Sequence, residues 1–398
     1  MPRESIDRLL NDAARSGCVP GVVALAGDAR GTSYQGAFGR RSLADSTPMT
    51  LDTVFRIASM TKAVTGVAAM QCVERGQLAL DQPAGDVIPE LAQPQVLEGF
   101  GDDGKPRLRP ARRSITLRHL LTHTAGFVYH IWNAEQSRYV DLTGLPTVLT
   151  GKLAALDAPL AFDPGERWEY GINIDWAGRL VEAVSGQDLD AYMREHIFAP
   201  LGMHDTGFTP DAEQTARTAQ VHARKSDGSL EPVPATPQAK PEFFAGGGAL
   251  FSTGPDYLTF LRMLLNGGSL DGARILEAET VGMMAQNHIG DLDVQLLTTQ
   301  EPALSNDAEF FSGMAKKWGL TWLINTEDVA GRRSAGSLAW AGLFNTYYWL
   351  DPKRQVTGVL LTQVLPFADP IVLRLFDQFE TEVYRTADEP SSAQIGDT

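Results

Sequence analysis

From Ala63 to Val73 the chain carries no charged residue, and the helical period that contains this run extends from Ser59 to about Glu74. A helix that is apolar nearly all round cannot lie on a surface, so it must pass through the middle of a domain. Thr53-Val54-Phe55-Arg56-Ile57 just before it is short and largely apolar, and reads as a strand that hands over to the helix. The chain must therefore supply enough other elements to wrap a central helix. With 398 residues, 43% of them hydrophobic and 21% charged, it has the length and composition to do so.

The wrapping elements fall into two groups. Near the start, Ile6, Leu9, Leu10, Ala13 and Ala14 share one helical face, with Ser5 as a candidate cap, and Val22–Ala26 and Thr32–Phe38 read as strands. Near the end, a helix over Tyr257–Leu265 follows Pro255. Strands then read at Trp318–Ile324, at Leu338–Leu350 with one break, and at Gln355–Val364. The turn Asp351-Pro352-Lys353-Arg354 makes the last two a hairpin. A helix over Ile371–Tyr384 and a polar tail finish the chain. In between, helical segments at Leu117–His123, Val148–Leu156, Ile174–Val184 and Leu189–Phe198 alternate with Pro- and Gly-rich loops, and Gly101–Arg113 reads as an exposed excursion. The pattern predicts an α/β chain of the α+β type, with an antiparallel sheet built from both chain ends and flanked by helices, plus a mostly helical lobe. On this reading residues 1–85 and 245–398 form one discontinuous domain and 86–244 the other, with a cleft between them where a small-molecule site would sit.

Charge and cysteine content narrow the function. Lys and Arg total 34 against 49 Asp and Glu, a formal charge of −15, which opposes binding to nucleic acid or to an anionic membrane. The cysteines, Cys18 and Cys72, have no metal-ligand spacing. Met1-Pro2-Arg3-Glu4-Ser5 lacks the apolar core of a signal peptide, and no apolar run is long enough to span a bilayer. These features predict a cytoplasmic protein acting on a small molecule; they leave its oligomeric state open.

Three short motifs carry chemistry. Ser59-Met60-Thr61-Lys62 stands where the strand gives way to the buried helix, and i and i+3 share a helix face. A lysine amine there is desolvated and faces the positive end of the helix dipole; both effects favour its neutral form, a base for the serine hydroxyl. The residues alone equally allow Ser59 to be a helix cap and Lys62 to reach water. Tyr170, after the Pro164-Gly165 turn, and the small-residue strand Trp340-Ala341-Gly342-Leu343 are the other two; each by itself suits packing or a bulge as well as a site. Gly246-Gly247-Gly248 lacks the Lys-Ser/Thr ending of a phosphate loop and reads as a tight backbone passage.

Taken together, Ser59-x-x-Lys62, Tyr170 and Trp340-Ala341-Gly342 resemble, in order and spacing, the three motifs of the serine β-lactamase-like hydrolases. Phe55-Arg56-Ile57-Ala58, Leu120-Leu121-Thr122-His123-Thr124-Ala125-Gly126 and Phe162-Asp163-Pro164-Gly165-Glu166 agree with that likeness. Within the superfamily the chain is most similar to the family VIII carboxylesterases. β-Lactamases and D,D-peptidases carry a Lys-Thr-Gly or His-Thr-Gly triplet where Trp340-Ala341-Gly342 stands, and an Asn two residues after the tyrosine, where this chain has Ile172 and, one later, Asn173.

The resemblance implies a carboxylesterase working through a Ser59 ester, with Lys62 and Tyr170 as the catalytic partners and no metal or organic cofactor. It implies an oxyanion site made by the N–H groups of Ser59 and Leu343. Trp340, in place of a cation, implies a pocket for neutral, short acyl or aryl esters, with Ala341 and Gly342 beside it and Tyr129 and Trp132 as further substrate-contacting candidates. It implies a structural place for His123. Three rivals stay open: a β-lactamase or D,D-peptidase, an acyltransferase using the same triad, and a non-catalytic binding module.

Overall fold

The computed structural model of the chain describes residues 2–234 and 240–388. Its centre is a seven-stranded antiparallel sheet. The strands, numbered in chain order, are β1 (Gly21–Gly27), β2 (Thr32–Gly39), β3 (Lys316–Trp318), β4 (Leu323–Asn325), β5 (Leu338–Gly342), β6 (Thr346–Asp351) and β7 (Val356–Leu361). Their order across the sheet is β3-β4-β5-β6-β7-β1-β2. The first and last parts of the chain meet where Val23 pairs with Leu361 and Leu25 with Val359.

Helices cover both faces, which is why β1, β5, β6 and β7 are buried along their whole length and read as continuous apolar runs. The five longest helices of the described residues are α1 (Pro2–Arg15), α2 (Thr61–Glu74), α3 (Asn173–Ser185), α4 (Gly254–Leu265) and α5 (Pro370–Asp388). On one face α1 packs with α5, and Phe376 and Phe379 of α5 meet the Trp349 ring of β6. On the other, α4 lies on β1 and β7, and the Tyr257 ring lies 5.4 Å from that of Tyr348. Helix α2 follows a single turn of 3-10 helix at Ala58–Met60 and is buried from Thr61 through Cys72, packed against α3. The uncharged run is thus the central helix that its composition required.

Several local readings need correction. Trp318–Ile324 is two strands, not one: β3 and β4 form a hairpin around Gly319, where a Cβ would stand 2.3 Å from the Met284 carbonyl oxygen. The one break expected in Leu338–Leu350 is present and falls at Leu343–Asn345, between β5 and β6. The Gly101–Arg113 excursion is exposed but belongs to a hairpin of Gln95–Phe100 with Pro106–Pro110. Val148–Leu156 holds two 3-10 turns separated by a left-handed Gly151, while a helix at Ala134–Thr143, capped by Asn133, carries no strong apolar stripe to announce it. Ser5 lies inside α1 and bonds the Glu382 carboxylate, so it is no cap. Helix α5 extends to Asp388, and the polar tail beyond it lies outside the described residues. No helix among the described residues is long and apolar enough to cross a membrane.

Candidate active site

The site forms where α2, the Phe127–Asn133 loop, the segment entering α3, the three-glycine loop and the end of β5 converge. Ala58 adopts a left-handed backbone, φ 44°, immediately before Ser59. That conformation costs a residue with a Cβ about 1–2 kcal/mol, and it is held by packing on both sides. Gly342 makes this packing possible: a Cβ there would stand 2.2 Å from the Ile57 carbonyl oxygen. The tip of β5 therefore rests directly on the backbone that leads into Ser59. Neither the Ser59 N–H nor the Leu343 N–H is engaged in a hydrogen bond among the described residues, so both are open to an oxyanion.

Lys62 does not reach water. It is wholly buried, and its Nζ lies 3.1 Å from Ser59 Oγ, 3.1 Å from the Tyr129 hydroxyl and 2.6 Å from the Gly247 carbonyl oxygen. Ser59 makes no capping bond. Burial draws the amine down to about 7, with the charge of Asp175 pulling part of the way back. Tyr170 is also buried, and the Trp340 indole N–H donates to its hydroxyl oxygen at 3.0 Å. Burial pushes this phenol above its ordinary range, while hydrogen bonding with Ser59 and Trp340 opposes the rise. Near neutrality a large share of the amine is neutral beside the serine, with a protonated phenol next to both. The arrangement can take the serine proton and can return one.

An aromatic enclosure surrounds this centre. The Trp132 ring lies 5.5 Å from Tyr170 and 5.8 Å from Tyr129, and its N–H donates to Ser305 Oγ at 3.0 Å. Trp340 lies 5.0 Å from Tyr170 and 5.7 Å from Phe310, and Phe367 stands 6.2 Å from Trp132. The one polar atom of the Trp340 indole is thus already used on Tyr170. Ser59, Lys62, Tyr170, Tyr129, Trp132 and Trp340 are brought together. Ala341 points to the opposite pleat, across from Tyr347, and Leu343 sits in the turn after β5.

His123 stays away from Ser59. Its Nδ1 meets Asn173 Nδ2 at 3.1 Å, its ring packs 4.8 Å from Tyr170 and 5.2 Å from Trp318, and burial together with the Lys62 charge pushes it well below its usual value. Asn173 also donates to the Phe127 carbonyl at 2.8 Å, so it braces the loop. Sequence reasoning missed Asp175, Gly247, Phe310 and Phe367. For Asp175 a signal existed, a lone acid among Ile174, Trp176, Ala177, Leu180 and Val181 on a helix that reads as apolar. For the two phenylalanines no local signal exists.

Comparison with known proteins agrees with this geometry. Residues 6–378 match the family model described as Beta-lactamase, and the chain belongs to that family. It is 35% identical over 389 residues to the monacolin J acid methylbutanoyltransferase of Aspergillus terreus, an alignment covering 94% of this chain and 93% of that one. It is 34% identical over 398 residues to the lovastatin esterase of Penicillium rubens, covering 96% and 98% respectively. The solved structure of simvastatin synthase from Aspergillus terreus superposes with a TM-score of 0.86 at 32% identity, covering 98% of this chain and 99% of that one. The fold is that of the β-lactamases and D,D-peptidases, and the relatives include a methylbutanoyltransferase and an esterase.

Proposed function

We propose that this protein is a serine acyltransferase that moves a short apolar acyl group from an ester-type donor to an alcohol, and that it acts as a carboxylesterase when water takes the alcohol's place. The observation that carries the reading is the wholly buried Lys62 amine 3.1 Å from Ser59 Oγ. Ser59 Oγ attacks the donor carbonyl carbon while its proton passes to Lys62 Nζ. The oxyanion is met by the N–H groups of Ser59 and Leu343. Collapse of the tetrahedral intermediate breaks the bond to the leaving group, which takes a proton from Tyr170 or Lys62. An incoming alcohol or water then reverses these steps.

Three features favour transfer and neutral substrates. The relatives named above include a methylbutanoyltransferase as well as an esterase. The aromatic enclosure offers an apolar acceptor or acyl group a dry surface and offers little hydrogen bonding to a lone water. A substrate carboxylate of the β-lactam kind would lose its hydration at Trp340 and gain no cation, at a cost of a few kcal/mol or more, which weighs against the β-lactamase and D,D-peptidase reading.

The test is a short-chain aryl ester assayed at increasing concentrations of an apolar alcohol, with products resolved by mass spectrometry. The new ester should rise at the expense of free acid, and Ser59→Ala should abolish both products. An alanine variant that keeps more than about 1% of wild-type kcat/KM would remove Ser59 from the mechanism. Free acid alone at every alcohol concentration would leave the hydrolase and remove the transferase.

A further inference from the structure

The Ser59 reaction leaves unused a buried carboxyl group linked to Lys62 through the three-glycine loop. Asp175, in the first turn of α3, is 1% exposed, and its Oδ1 accepts the Gly247 N–H at 2.9 Å. The carbonyl of the same glycine is the shortest partner of Lys62. One residue's two backbone polar groups thus link the carboxyl group to the amine. Glycine is required for the approach, since a Cβ at 247 would stand 2.5 Å from Asp175 Oδ2. The neighbouring Gly246 carbonyl accepts from Thr65 Oγ1 of α2 at 2.7 Å, so the loop is pinned to both helices. Asp175 Oδ2 itself has no hydrogen-bond partner among the described residues, an expensive arrangement for a group whose only task is to hold a loop.

We propose that Asp175 is a positioning residue for Lys62, acting through the Gly247 peptide; the role rests on Lys62 being the base of the Ser59 reaction. A neutral amine has two N–H groups and one lone pair. The Gly247 carbonyl can only accept, so it takes one N–H. The Tyr129 oxygen takes the second, which leaves the lone pair aimed at the Ser59 hydroxyl. Displacement of the Gly247 backbone would release the first N–H and let the amine turn away from Ser59. The Asp175 bond to the N–H of the same residue opposes that displacement.

Asp175 also acts on Lys62 through space. The other ionisable groups facing the pair are His123, Tyr129 and Tyr170. His123 is held low and both tyrosines are held high by burial, so all three stay uncharged near neutrality. Burial raises the Asp175 carboxyl, and the Lys62 charge opposes the rise. Removing the negative charge makes the Lys62 ammonium easier to deprotonate.

The test uses the full chain and 4-nitrophenyl butyrate. Asp175→Asn keeps an oxygen that can accept the Gly247 N–H but carries no charge. It should retain at least a third of wild-type kcat, with the acid limb of kcat/KM moved down by 0.5 pH unit or more, about a threefold gain in relative activity on that limb. Asp175→Ala loses the peptide bond partner, and kcat should fall by about 10–100-fold with KM within threefold. Gly247→Ala reaches the same contact from the loop side and should reproduce the kcat loss. Folding of each variant is read by thermal melting. The role is overturned if folded Asp175→Ala keeps more than half of wild-type kcat, if folded Asp175→Asn is no better than the alanine variant, or if its acid limb stays in place. Labelling of wild-type Ser59 by a fluorophosphonate separates the two levels. An unlabelled Ser59 removes the acyl-enzyme reading and this role with it, whereas a labelled Ser59 with an unshifted Asp175→Asn profile removes only the role of Asp175.

Discussion

Arg333 and Lys62 are both buried cations, and their surroundings could hardly differ more. Arg333, 2% exposed, sits between the β4–β5 connection and α5, where Glu380 accepts both arms of its guanidinium at 2.8 and 2.6 Å. Phe311 and Trp349 present ring faces to it at 5.1 and 5.8 Å. Burial would lower its pKa, but the charge and hydrogen bonds of Glu380 more than offset this and raise it. Lys62 is buried to the same degree, yet its three nearest polar partners are a hydroxyl, a phenol and a carbonyl, with no carboxylate among them. Arg333 is a charge matched in place and belongs to the fold. Lys62 is an amine denied a counter-ion at contact, and it is driven toward the neutral form that the proposed reaction needs. Burial alone marks neither role; the partner does.

If that contrast is right, the largest separation appears on deleting the two cations' functions in turn. Lys62→Met should cut kcat/KM by about 10³-fold or more while leaving the melting temperature unchanged or higher, because no amine has to be desolvated. A folded Lys62→Met enzyme with near-wild-type turnover, or one that melts well below wild type, would break the comparison. Glu380→Ala should do the reverse. It strands the Arg333 charge and should cost about 3–5 kcal/mol of stability, with kcat per folded molecule within about twofold. Denaturant unfolding alongside active-site titration measures both quantities.

The pH dependence sharpens the comparison further. In the proposed reaction Lys62 must be neutral, and it is held at about 7, so kcat/KM should fall about tenfold for each pH unit below that value and level off above it. The sign for stability follows from the same lowering. Between pH 7 and the unfolded lysine value near 10.4 the unfolded chain binds more protons at this position, so its contribution to stability increases with pH across that window. A profile with no limb near neutrality, measured where chemistry limits the rate, would show that Lys62 is not the base. The smallest effect belongs to Trp340→Phe, which keeps a ring and removes the N–H donated to Tyr170. A loss of about 1 kcal/mol, roughly fivefold in kcat, should occur without a change in melting; a loss as large as that of Lys62→Met would mean that Trp340 holds the site together instead.

Much of the site is legible in the amino-acid sequence. Ser59 and Lys62 are one helical turn apart, and a local spacing survives in whatever tertiary frame surrounds it. The central helix is legible from its missing charges, and the β6–β7 hairpin from Asp351-Pro352-Lys353-Arg354. The β3–β4 hairpin is not, because Gly319 and its left-handed neighbour Thr321, φ 83°, turn the chain inside what reads as one apolar run. There the turn is held by Leu121 and Met284, whose carbonyls accept the N–H groups of Thr321 and Leu320 from distant segments.

The sequence by itself determined which residue types the proposed reaction has at its disposal: a serine and a lysine in helical register, a tyrosine after a Pro-Gly turn, and an indole on a strand of small residues. Only the tertiary structure decided how they share protons. Lys62 meets Tyr129 67 positions away and Gly247 185 positions away, and Tyr170 meets Trp340 across 170. Whether an amine is neutral depends on how completely such segments exclude water and on what polar atoms they bring, and neither quantity is written in the spacing of neighbouring residues. That is why the sequence could name Lys62 and Tyr170 as partners of Ser59, while their environments set one amine low and one phenol high.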